Sequence, residues 1–116
     1  MRQQERLTKS SDFKRVYGSG KSVADRLLVL YRLPYAGELK LGISVSKKVQ
    51  KGSVGRNRLK RLVRESFRRL SPRLNRGYHL IVIVRVAARN ASYRQIAQSL
   101  SDLCKRSGLV MENGGV

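Results

Sequence analysis

The chain has 116 residues, enough for one ordinary domain and too few for two full hydrophobic cores. Its hydrophobic fraction of 41% can build a core and excludes wholesale disorder, but 26 Lys and Arg against 7 Asp and Glu leave a formal net charge of +19. A single cysteine, Cys104, and a single histidine, His79, exclude an intramolecular disulfide and any Cys/His metal cluster.

An excess of positive charge this large repels itself in a compact state unless a polyanion neutralises it. Nucleic acid is the leading partner, because clustered Lys and Arg release counterions from its phosphates; an anionic membrane surface comes second. The start, "MRQQERLTKSSDF", lacks the apolar stretch of a secretory signal, and the longest apolar run, Leu80–Val84, is too short to span a bilayer. The expectation is a soluble cytoplasmic protein with no membrane partner, organised as one domain over 1–116. Its basic arm (1–9) and tail (110–116) are read as flexible.

In chain order, Ser10 or Ser11 can cap a short helix, with Asp12 in its first turn and Phe13, Val16 and Tyr17 forming an apolar stripe. Gly18 and Gly20 end it. "RLLVLYRLP", Arg26–Pro34, is rich in strand formers: Leu27, Val29, Tyr31 and Leu33 share one face, Leu28 and Leu30 the other. "KLGISVS", Lys40–Ser46, alternates cleanly, placing Leu41, Ile43 and Val45 opposite a small, polar face of Lys40, Gly42, Ser44 and Ser46. Ser53 is read as the cap of a long helix. "YHLIVIVRV", Tyr78–Val86, is apolar on both faces and therefore expected at the centre of a sheet. Ser92 caps a last helix with Tyr93, Ile96, Ala97, Leu100, Leu103 and Cys104 on one side and Gly108 as its stop. The class is α+β, a small sheet packed by helices.

The long helix carries "VGRNRLKRLVRESFRR", Val54–Arg69, with seven Lys or Arg and one acid. At 100° per residue, Leu59, Leu62, Val63, Ser66, Phe67 and Leu70 gather on one side. Asn57, Lys60, Arg61, Arg64 and Arg68 gather opposite, with Arg58 and Arg69 flanking. A merely solvated face would mix signs to form i, i+4 pairs. This one has only Glu65 and calls for an external anion. Lys47, Lys48 and Lys51 extend the basic run. Arg suits bidentate contact with phosphate, and an interleaved Asn offers donor and acceptor to a base edge or a 2′-hydroxyl. Phe13 and Tyr17 share a stripe that core packing would explain equally well; with Tyr31 they could instead stack unpaired bases. Phe67 and His79 read as structural. No Ser/His/Asp set, P-loop or paired carboxylates occur, and the seven acids are scattered, which argues against a two-metal nuclease site on the protein.

"RNRLKRLVRESFR", Arg56–Arg68, preceded by "LGISVSKKV", Leu41–Val49, closely resembles the protein subunit of bacterial ribonuclease P. "SDFKRVY" and "GKSVADRLLVLY" are similar to that family's first helix and first strand, and the resemblance runs from about Arg6 to Leu109. It implies a two-layer α/β sandwich in the order α-β-β-β-α-β-α, with a four-stranded sheet and a left-handed βαβ crossover. It also implies a role in maturing the 5′ ends of tRNA, with no catalytic residue or metal site on the protein and Mg²⁺ required by the catalytic RNA. The surface implied to meet that RNA comprises Lys48, Lys51, Arg56, Asn57, Arg58, Lys60, Arg61, Arg64 and Arg68. A cleft for the single-stranded 5′ leader of precursor tRNA is implied at Phe13, Tyr17, Tyr31, Ser44, Ser46 and Lys47. A monomer in a 1:1 complex with the RNA is expected. Many relatives carry an aromatic where this chain has Leu27–Leu28, which would leave that cleft wall less able to stack. Gly55, early in the long helix, costs up to ~1 kcal/mol relative to Ala. The alternative reading is a structural, ribosomal-protein-like RNA-binding protein. A DNA-binding or membrane-surface protein is a further rival.

Overall fold

The structure, a computed structural model, describes residues 5–111. Its elements are α1 (Ser10–Ser19), β1 (Lys21–Ala24), β2 (Leu28–Pro34), β3 (Leu39–Ser44), α2 (Ser53–Leu70), β4 (Tyr78–Val84) and α3 (Tyr93–Arg106), in the α-β-β-β-α-β-α order that the resemblance implied. The sheet order is β1-β2-β4-β3. β2 pairs antiparallel with β1 and β4, while β3 lies parallel to β4 and reaches it through α2. As its two-faced apolar sequence requires, β4 is a central strand, with Leu80, Ile81, Val82 and Val84 all buried.

The two faces of the sheet differ. On one, Leu28, Leu30, Leu39, Leu41, Leu80, Val82 and Val84 pack against Leu59, Val63 and Phe67 of α2 and Ile96, Leu100, Leu103 and Cys104 of α3. This is the main core, and the apolar stripes read from α2 and α3 face it. On the other, a smaller cluster joins Leu7, Val16 and Ile81 to Phe13, Tyr31, Leu33 and Ile83. Part of the basic arm is built into this layer: Arg6 bridges Leu41, the Leu7 amide donates to the Leu41 carbonyl at 2.9 Å, and Leu7 is buried. Near the other end, Val110 bridges Leu74, and the Met111 amide donates to the Arg73 carbonyl.

Several local expectations are corrected. The N-cap of α1 is Lys9 and that of α2 is Gly52, neither with a side-chain cap, so Ser10, Ser11 and Ser53 do not cap. Ser92 does cap α3, in a reciprocal capping box with Gln95. Leu27 leaves the face of Val29, Tyr31 and Leu33 because β2 begins only at Leu28; with Leu28 it enters the main core, so neither forms a wall of the second face. Gly55 leaves α2 unbroken from Ser53, and a Cβ there would meet the side chain of Gln50, which folds over the first turn.

Leu27 is drawn inward by Asp25, whose Oδ1 accepts from the amides of Leu27 and Leu28 while Oδ2 accepts from Ser99 Oγ on α3. Burial raises this carboxyl, but the bonds from Ser99 and the two amides, with Arg106 nearby, outweigh it and leave Asp25 below its ordinary value of 3.8. A carboxylate depressed in the folded state contributes stability that is present above its unfolded value and lost as pH falls through its folded one. Asp25→Asn should therefore flatten the fall in urea stability below about pH 4 and, by weakening charge-assisted bonds, cost about 1–3 kcal/mol near neutrality.

Candidate nucleic-acid interface

The second face of the sheet presents three cross-strand rows: Leu33–His79–Lys40, Tyr31–Ile81–Gly42 and Val29–Ile83–Ser44. Helix α1 is anchored at the first. His79 is buried, and its Nδ1 accepts from Arg15 at 2.8 Å; because a guanidinium only donates, the proton sits on Nε2, which donates to Glu38 at 2.9 Å. The Tyr35 ring stacks on the imidazole at 4.0 Å, and Arg15 also pairs with Asp12. The bond from His79, together with Lys40, holds the Glu38 carboxyl below its usual range. His79 is thus a structural tie between helix and sheet.

At the second row, Phe13 lies directly on Gly42: a Cβ added there would stand 2.5 Å from the ring's Cζ. The small face of β3 is what lets α1 approach. Tyr17 meets Tyr31 edge-on at 5.0 Å, and Phe13 at 6.2 Å. Tyr17 is 38% exposed, and its partial burial pushes the phenol above its ordinary 10.0, opposed by the polar Ser44 side chain beside it. Phe13, Tyr17, Tyr31 and Ser44 therefore form one continuous surface, and Val29 and Ile83, partly exposed beside Ser44, extend it with apolar floor. Ser46 and Lys47 lie past the end of β3, exposed in the turn that closes with the Val49 and Gln50 amides on the Ser46 carbonyl. No described contact joins them to the rings.

The positive side of α2 is divided between two neighbours. Lys60 and Arg64 border the cleft, lining a recess of about 120 Å³ with Phe13, Arg6 and Thr8. Burial, then repulsion from Arg6, lowers the Arg64 guanidinium from its ordinary value, and Arg6 Nε is buried without a hydrogen-bond partner. Two like charges and an unpaired donor at one rim suit an anion. At the opposite edge, Arg58 donates to the Ala91 carbonyl at 2.9 Å, fixing the approach to α3. Arg56 turns back to the carbonyls of Gln50 and Lys51. Asn57 and Arg61 are exposed between these edges, as is Arg68, which pairs with Glu65. Lys48 and Lys51 are exposed in the connector, beside Arg89, which donates to the Val49 carbonyl.

The sequence reading missed Arg6, Val29, Ile83 and the role of Gly42. Gly42 left a signal as the smallest residue on a small, polar strand face, and Val29 one through the face it shares with Tyr31. Among the described residues, no group of three or more His, Cys, Asp or Glu could hold a metal, and no helix is long and apolar enough to cross a membrane.

A half-covered sheet with an aromatic cleft, set against a basic helix, is the architecture of an RNA-binding α+β domain. A family profile described as Ribonuclease P matches residues 1–108, and the chain belongs to the ribonuclease P protein family. It is 42% identical over 108 residues to the ribonuclease P protein component of Caldanaerobacter subterraneus, covering 92% of each chain. It is 46% identical over 107 residues to that of Clostridium kluyveri, covering 90% of this chain and 95% of the relative. The solved Staphylococcus aureus RNase P protein superposes with a TM-score of 0.84 at 36% identity, over 92% of this chain and 98% of that one.

The Phe13–Gly42 contact separates two glycine substitutions. Gly42→Ala must displace an aromatic ring held under α1 and should cost about 1–3 kcal/mol in urea unfolding. Gly55→Ala meets only the flexible end of Gln50 and should lie between neutral and about 1 kcal/mol stabilising.

Proposed function

We propose that this protein, as the protein subunit of ribonuclease P, works through two adjoining surfaces: an aromatic cleft that holds the 5′ leader of precursor tRNA and a basic helix that holds the catalytic RNA. In the holoenzyme, which processes tRNA 5′ ends, the catalysis belongs to the RNA. The observation that carries the division is the position of Lys60 and Arg64, which edge the cleft of Phe13, while Asn57, Arg61 and Arg68 look outward from the same helix. A single-stranded leader entering the cleft offers bases to the rings of Tyr17 and Tyr31 and phosphates to Arg6, Lys60 and Arg64. Ser44 is placed for a sugar or base edge. Lys47 and Ser46, at the end of β3, continue the track.

The positive charge then has a specific role. Two polyanionic RNAs repel each other where the leader passes the catalytic RNA, and cationic side chains between them reduce that repulsion. Less Mg²⁺ is then needed to screen it; the Mg²⁺ of the hydrolysis itself is held by RNA. The protein acts as a cytoplasmic monomer bound 1:1 to its RNA. Arg56 and Arg58, although part of the Arg-Asn-Arg signature, spend donors on backbone carbonyls. Their contribution to RNA binding includes shaping the start of the helix, while Asn57 and Arg61 make the outward contacts.

Single-turnover cleavage of precursor tRNA by a bacterial ribonuclease P RNA at low Mg²⁺ tests this. Adding the protein should accelerate cleavage, and more so for long than for trimmed leaders. Tyr17→Leu should lose about 1–3 kcal/mol of affinity for the long-leader substrate and nothing for the trimmed one. Arg61→Ala should weaken binding to the RNA subunit and lower the salt-dependence slope by about one, with leader preference retained. A protein that binds RNA but never favours a leader would be a structural RNA-binding protein instead.

A further inference from the structure

Behind α2, on the face of the molecule away from the aromatic cleft, its C-terminal half and α3 enclose a groove of about 490 Å³. Arg69 and Arg73 border it on one side and Arg94 on the other, with Leu70 in the lining and the partly exposed Tyr93 at the start of α3. No acidic residue lines it. Five other arginines, Arg15, Arg58, Arg85, Arg89 and Arg106, each donate to a named acceptor. Among the described residues, the side chains of Arg69, Arg73 and Arg94 make no hydrogen bond or ion pair. Three like charges converging on one concavity raise the energy of the free protein and reward an anion that enters it.

We infer that the groove between α2 and α3 is a second RNA-binding site, taking a backbone segment of the catalytic RNA on Arg69, Arg73 and Arg94 with one unpaired base against Tyr93. The inference rests on the proposed role as a ribonuclease P subunit. An aromatic ring beside guanidinium groups suits an unstacked nucleotide better than a bare anion, and Gln98, which also lines the groove and whose Nε2 donates to Asp102, keeps its carbonyl oxygen and second N–H for a base edge or a 2′-hydroxyl. Arg69 flanks the positive face of α2, so RNA lying along Arg61 and Arg68 is led by it into the groove. The occupant is the catalytic RNA because the leader cleft lies on the other face of the sheet, beyond α2.

The test uses the full chain carrying Arg69→Gln, Arg73→Gln and Arg94→Gln together, and separately Tyr93→Leu, with circular dichroism melts confirming a fold like that of the parent. Binding to a bacterial ribonuclease P RNA is measured across a salt series, and the assembled holoenzymes are titrated with long-leader precursor tRNA. The triple variant should bind the RNA subunit about tenfold or more weakly, with a salt slope shallower by about two to three, at unchanged substrate affinity. Tyr93→Leu should weaken binding at an unchanged slope. In addition, Arg94→Cys provides a tether for directed hydroxyl-radical cleavage, because burial pushes the natural Cys104 thiol up to about 12 and keeps it unreactive. Cuts confined to one unpaired region of the RNA subunit are expected. RNA-subunit affinity within twofold of the parent would overturn the inference alone. So would a loss confined to precursor tRNA, which would make the substrate the occupant. Failure of the parent protein to bind the RNA at all would overturn the proposed function with it.

Discussion

Strand β4 is buried on both faces, and the rest of the molecule is arranged by the unequal way those faces are covered. One face carries Leu80, Val82 and Val84 into a core closed by two amphipathic helices. The other offers Ile81 and Ile83 to a single short helix. Ten residues of α1 cannot cover a four-stranded sheet, so part of that face stays open. Hydrophobic stabilisation is concentrated on the first face, which frees the second to carry a surface shaped for a ligand.

That second surface owes its shape to small residues more than to large ones. Gly42 lets the Phe13 ring lie against the backbone of β3, and the Arg15–His79–Glu38 chain of bonds sets where α1 sits along the sheet. The buried imidazole has both nitrogens satisfied, so it costs little desolvation and fixes a geometry that apolar contacts alone would leave free to slide. Tyr17 then meets Tyr31 edge to face and Phe13 at a tilt, and remains open to solvent.

Charge follows a similar economy. Arginines near the start of α2 and in the loops donate to backbone carbonyls and help to close the fold, while Arg64 at the cleft rim, Arg61 on the outer helix and the arginines of the α2–α3 groove have no partner among the described residues. The +19 of the chain is therefore divided between positions that hold the protein together and positions that await a polyanion. Arg64 beside Arg6 shows the strain of the second kind, its guanidinium lowered first by burial and then by its neighbour.

Much of this was legible beforehand because periodicity and composition are local. The 3.6-residue stripes of α2 and α3, the alternation of β3 and the two-faced apolarity of β4 each report burial through spacing alone, and Ser92 marks the start of α3. The Arg-Asn-Arg helix and the aromatics of α1 and β2 marked both candidate surfaces, and their pattern carried the family. Caps at Ser10 and Ser53 were misread because a hydroxyl at a helix start does not show whether the backbone will place it one position earlier. What folding alone decided was adjacency. That Arg6 would meet Arg64, that Val29 and Ile83 would floor the cleft beside Ser44, that Leu27 would turn away from it, and that α2 would hold one edge to the cleft and the other to α3 all depend on contacts between distant segments. Such contacts follow from strand register and helix packing, which the sequence by itself specifies only through the energy of the whole fold.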